Sequence, residues 1–151
     1  MRTGQQSESR KVLQPPSGEP PPLAVTMDDG QSFDLLPLAE QICATYRGEF
    51  PDEKERYGDA GHAWCVHDNL HLLEWGFQST EGTVDMEAEV AWLARVLESR
   101  DFPLVRLARD LEIGAEVLMA GPASRTRRAV SIVWAKAALM VRSRRTFLDP
   151  P

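Results

Sequence analysis

Cysteine, aromatic side chains and long apolar runs are all scarce in this chain. Its two cysteines, Cys43 and Cys65, form no CxxC pair and are too few for a disulfide scaffold. Aromatic residues make up 7% of the sequence, and no apolar run approaches the roughly 18 residues of a membrane-spanning helix. The segment from Met1 to Gln14 carries Arg2, Arg10 and Lys11 but no apolar h-region, so no secretory signal is expected and the expected location is cytoplasmic. Neither a GxSxG elbow nor a Walker-type or GxGxxG phosphate loop occurs. Cys65 has Asp59, Asp68 and Glu74 around it in sequence, not the cationic surroundings that stabilise a thiolate. It reads as an inert small residue, and no enzyme is expected. What remains is 151 residues, 42% hydrophobic and 26% charged. That is enough for one domain with a real core.

The net charge of −6 conceals an asymmetry. Residues 1–22 carry three basic and two acidic groups, residues 23–122 seven and twenty, and residues 123–151 seven and one. The three nets are +1, −13 and +6. An acidic body beside a basic C-terminal segment suits mutual attraction, within one molecule or between two.

Residues 1–22 hold Pro15, Pro16, Pro20, Pro21 and Pro22 among Gly, Ser and Gln, a composition that cannot bury enough apolar surface to order itself. A disordered tail is expected there, followed by a single helical domain over 23–151. Leu23, Val25 and Met27 alternate with Ala24 and Thr26 before the turn signal Asp28-Asp29-Gly30, so a short strand or extended arm without an obvious partner is expected. From Asp34 the apolar period becomes helical. The spacing predicts helices over 34–47, 60–78, 84–100, 103–120 and 124–145, with a polar linker from Glu49 to Gly58. Asp34 or Ser32 and Asp59 are candidate caps, Asp85, Glu87 and Glu89 lie in first turns where the helix dipole favours acids, and Pro37 and Pro103 lie where a first turn tolerates them. The fold class is therefore all-α, a bundle of about five helices. The last helix is apolar nearly all round between Ala129 and Val141 and must be buried in the bundle or against a partner.

The stretch from Leu72 to Leu118 pairs a Leu-rich helix end with a helix holding Trp92 and Arg95-Val96-Leu97. Arg100-Asp101-Phe102-Pro103 follows, then a final helix with Leu107-Ala108, Leu111-Glu112 and Val117-Leu118. It resembles the helical module of actinobacterial regulators that often precedes a cobalamin-binding domain. That family's cobalamin domain is marked by a DxHxxG loop, which this chain lacks. The resemblance implies a bacterial regulatory module, a sensor or docking unit, without the cofactor domain. It does not carry cobalamin binding over to this chain.

Two sets of residues can carry function. His62, Cys65, His67 and His71 cluster within ten residues, and imidazole and thiolate are usual zinc ligands. At about 100° per residue only His67, His71 and Glu74 share one helix face. These three are candidate ligands for a metal or heme, with a further ligand needed from another helix, Asp68 and Tyr46 being candidates. They read first as a hydrogen-bonded structural group at a helix interface, ahead of the ligand site, and last as a pH switch, since a free imidazole titrates near about 6.5. The second set is the basic segment, with Arg125, Arg127 and Arg128 opening the last helix, Arg142, Arg144 and Arg145 closing it, and Trp134 between. Three arginines at a helix N-terminus oppose the helix dipole, which suggests that they either precede the helix or face something acidic. Packing within the molecule or between copies is favoured over a partner protein, and nucleic acid is not expected because aromatic interleaving is sparse. The expected function is a non-enzymatic regulatory or protein-interaction module that self-associates through its C-terminal helix. The alternative is a metal- or heme-binding sensor using His67 and His71.

Overall fold

A computed structural model describes residues 13–148; the part of the expected tail before residue 13 lies outside them. Residues 13–23 form no helix or strand. Among the described residues the elements are β1 (Ala24–Thr26), β2 (Ser32–Asp34), α1 (Leu35–Glu49), α2 (Glu53–Ser79), α3 (Met86–Ser99), α4 (Leu104–Ala120) and α5 (Arg125–Ser143). The fold is an all-α bundle with one small antiparallel hairpin.

The hairpin supplies the partner that the arm at Leu23–Met27 lacked in sequence. Val25 pairs with Phe33, flanked by Ala24 with Asp34 and Thr26 with Ser32. Gly30, at φ 92°, turns the chain where side chains are disfavoured. Asp29 fixes the turn by accepting from the backbone N–H of Gln31 at 3.0 Å. Phe33 then packs on Phe77 of α2 with ring centroids 4.8 Å apart. Asp34 is consequently a strand residue, and its side chain makes no cap hydrogen bond to α1.

Leu35, Leu38, Ala39, Ile42 and Tyr46 of α1 are buried, at the expected helical spacing. The expected linker is shorter than its composition suggested, because α2 begins at Glu53 and bends at Gly58 (φ 68°, ψ −164°). The turn before the bend is anchored by charge. Arg106 donates to Glu53 at 2.7 Å and to Asp52 at 3.0 Å, and its guanidinium lies 4.5 Å from the centroid of the Phe50 ring. Tyr46 donates to the same Glu53 carboxylate at 2.8 Å. Asp85 and Ser124 cap α3 and α5 through the backbone N–H groups of Ala88 and Arg127.

α4 and α5 make the most extensive helix pairing, and α5 also packs on α3 and α2. Val130, Trp134, Ala137, Ala138 and Val141 form its buried face. Its opposite face is not covered by the described residues: Ile132 and Leu139 are 51% and 67% exposed. Among the described residues no helix is long and apolar enough to cross a membrane.

Candidate functional site

One face of α2 carries an aromatic ladder at helical spacing. Trp64 meets His67 edge-on at 5.0 Å between centroids, His67 meets His71 at 4.8 Å, and His71 stacks on Trp75 at 5.9 Å. Trp75 then meets Trp92 of α3 edge-on at 6.5 Å. The spacing 64, 67, 71, 75 follows the i, i+3, i+4 rule for one helix face. Arg100 follows α3, Phe102 lies before α4, and Leu93, Val96 and Leu97 project from α3. With the ladder they surround a cavity of about 490 Å³. Leu13 also lines it, and Gln14 accepts a hydrogen bond from Trp64 Nε1 at 2.5 Å, so the described start of the chain lies at the cavity's edge.

The cavity's polar floor comes from α1, α2 and α4. Asn69 and Asp110 are 2% and 7% exposed. Asn69 Nδ2 donates to Asp110 Oδ1 at 3.1 Å and to the Cys65 carbonyl at 2.9 Å. It also lies 3.6 Å from the sulfurs of both Cys43 and Cys65. Asn69 Oδ1 is buried without a hydrogen-bond partner among the described residues. Burial pushes the Asp110 carboxyl up to about 7; the Asn69 hydrogen bond opposes that rise, and the nearby Asp68 and Glu53 carboxylates reinforce it. The Cys65 thiol is pushed well up by its hydrogen bond with Cys43 and by burial, so it stays protonated, in keeping with an inert residue. His71 is shifted down by burial and by His67.

The structure thus brings His67 and His71 together on the cavity wall, with His67 Nδ1 3.2 Å from Asp68 Oδ1. Glu74 is not among the residues lining the cavity. No group of three or more His, Cys, Asp or Glu side chains among the described residues is arranged to hold a metal ion. A metal or heme at this wall would have the two imidazoles as its nitrogen donors.

The basic segment is divided. Arg127 Nε and Nη2 donate to the carbonyls of Leu118 and Val117 at 3.1 Å each, satisfying the C-terminal end of α4. Arg142 makes two hydrogen bonds to Glu112, at 2.6 and 3.0 Å. Arg144 lies over the Phe147 ring at 4.1 Å. Arg125, Arg128 and Arg145 are exposed. Trp134 is fully buried, so it belongs to the core and not to an interaction surface: Gly76 of α2 and Gly114 of α4 face its ring, where a Cβ on either would collide with it.

Asp110, Asn69 and the three cavity tryptophans are the site residues that the sequence reading did not single out. Asp110 did leave a signal. It falls three residues after Leu107 and one before Leu111, a carboxylate inside an apolar arc, which only a ligand, a partner or a shifted protonation state makes tolerable. Comparison of this chain with family models, with curated proteins and with solved structures finds no match.

Proposed function

We propose that this chain is a non-enzymatic regulatory module whose helical bundle encloses a site for a small molecule. The observation that carries the reading is the cavity of about 490 Å³, walled by Trp64, Trp75 and Trp92 and floored by a few buried polar groups. A mostly apolar concavity with sparse, convergent polar groups is what small-molecule sites have in common. The resemblance of Leu72–Leu118 to regulator helices points the same way.

Three tryptophans on the wall make their fluorescence a direct readout. Titration with the uncharged probe 4-phenylbutan-1-ol is expected to give a saturable change, confirmed as one site by calorimetry. Leu97→Phe, which fills part of the cavity, should weaken that binding at least fivefold with an unchanged far-UV circular dichroism spectrum. Equal affinity in the filled variant, or no saturation by this probe or by its amine and carboxylate counterparts at millimolar concentration, would sink the reading.

The uncovered face of α5 favours a second element, association between copies. Ile132 and Leu139 stand exposed among Arg128 and Lys136. Two such faces meeting each other would oppose like charges, so the complement is the acidic surface of another copy, whose residues 23–122 carry a net −13. Light scattering should show a mass above the monomer at 50 mM salt that falls toward it at 500 mM, and Leu139→Glu should be monomeric at both. A monomer under every condition ends this element and leaves the cavity untouched.

A further inference from the structure

The cavity floor is unbalanced in a way that specifies what it accepts. Both strong hydrogen-bond partners of Asn69 Nδ2, the Cys65 carbonyl and Asp110 Oδ1, are acceptors, so the amide cannot be turned round and Oδ1 is the atom left over. That atom is buried and unpartnered among the described residues. Beside it, the Asp110 carboxylate receives its hydrogen bond from Asn69 and has no ion-pair partner among the described residues. The cation of this floor, Arg106, is already taken by Asp52 and Glu53. The floor therefore offers acceptors and negative charge, while its strong donors, Arg106 and Tyr46, are committed to Asp52 and Glu53. A buried acceptor left unpaired is costly, and a carboxylate without a counter-charge more so.

Resting on the ligand-binding reading above, we propose that the cavity selects a protonated amine with an apolar body, its ammonium between the Asp110 carboxylate and Asn69 Oδ1 and its body against the tryptophan wall. An ammonium group carries three donors and no acceptor, which matches both orphaned functions at once. The faces of Trp64, Trp75 and Trp92 provide apolar area and attract cations. An anion would meet Asp110, Asp68 and Glu53 at the floor, and an uncharged apolar molecule would leave Asn69 Oδ1 unpaired.

Three isosteric probes separate this inference from the reading beneath it: 4-phenylbutylamine, 4-phenylbutan-1-ol and 4-phenylbutanoate, titrated at pH 7.5 by tryptophan fluorescence and calorimetry. The amine is expected to bind at least tenfold more tightly than the alcohol, and the carboxylate to show no saturable binding. Asp110→Asn should weaken the amine at least tenfold and change the alcohol less than twofold, which also shows that the variant's cavity is intact. The alcohol or the carboxylate matching the amine in the wild-type chain would overturn the amine inference while the cavity reading stands. So would an amine affinity unchanged by Asp110→Asn. Failure of all three probes to saturate would overturn both.

Discussion

Gly114→Ala is expected to destabilise the bundle by about 3 kcal/mol, the upper part of the usual range for overpacking a core. A Cβ at Gly114 would land on the six-membered ring of Trp134, against Cζ3 and Cε3. On the other side, a Cβ at Gly76 would meet Trp134 Nε1 at 2.5 Å and Val130 Cγ1 at 2.9 Å. The indole is thus held between α2 and α4, fully buried, and has no solvent-facing direction in which to yield. What must give is the spacing of α4 and α5, the most extensive helix contact in the fold. Urea denaturation of the two proteins measures the loss. The double variant with Trp134→Phe, whose smaller ring frees that volume, should recover part of it relative to Trp134→Phe alone, a coupling of about 1 kcal/mol or more. A loss under about 0.5 kcal/mol, the scatter of ordinary surface substitutions, would mean that the ring is not confined as described.

The same indole shows why some of the architecture was legible in sequence and some was not. Helices bury periodic faces, so Leu35 to Tyr46, Leu70 to Phe77 and Leu107 to Leu118 announced their helices through spacing alone. α5 gave no such face, because alanine and valine all round it satisfy every angle equally. Its inner side was decided by Gly76 and Gly114 on two other helices, which leave room for Trp134 and leave Ile132 and Leu139 outside. Ser32 to Asp34 is too short to show a period and is a strand through its pairing with Ala24 to Thr26. Glu53 to Tyr57 reads as linker because Pro51 and Gly58 punctuate it, yet Arg106, more than forty residues away, holds it helical through Asp52 and Glu53. The site followed the same rule. His67 and His71 were visible as a cluster within one helix, whereas the Asn69 to Asp110 pair exists only because α2 and α4 both pack on α1, which also brings Cys43 beside Asn69.

Stability should fall as pH rises from about 4.5 to 7.5, and Asp110→Asn should abolish most of that fall. Burial raises the Asp110 carboxyl to about 7 in the folded chain, against an ordinary 3.8 when unfolded. Between those values the folded state holds a proton that the unfolded state has released, so raising the pH favours unfolding; above about 7 both states are ionised and the slope vanishes. Three pKa units correspond to about 4 kcal/mol at about 1.36 kcal/mol per unit. The variant, neutral at every pH and still offering Asn69 an acceptor oxygen, should exceed the wild type by on the order of 3–4 kcal/mol at pH 8 and by little at pH 4.5. Other groups tilt the absolute curve. Glu49, Asp52, Glu98 and Glu112, held down by their hydrogen bonds, contribute stability that is lost in acid below the ordinary carboxylate range. His71, shifted down by burial, favours the folded state as pH rises through 6.5. Subtracting the variant's curve from the wild type's removes these common contributions and isolates Asp110. Urea midpoints at pH 4.5, 6, 7 and 8 give the difference, and a constant offset across that range would show that Asp110 does not hold its proton. A rising offset would show a buried carboxylate kept at a thermodynamic cost without an ion-pair partner among the described residues, and a protonated amine bound there would remove that cost.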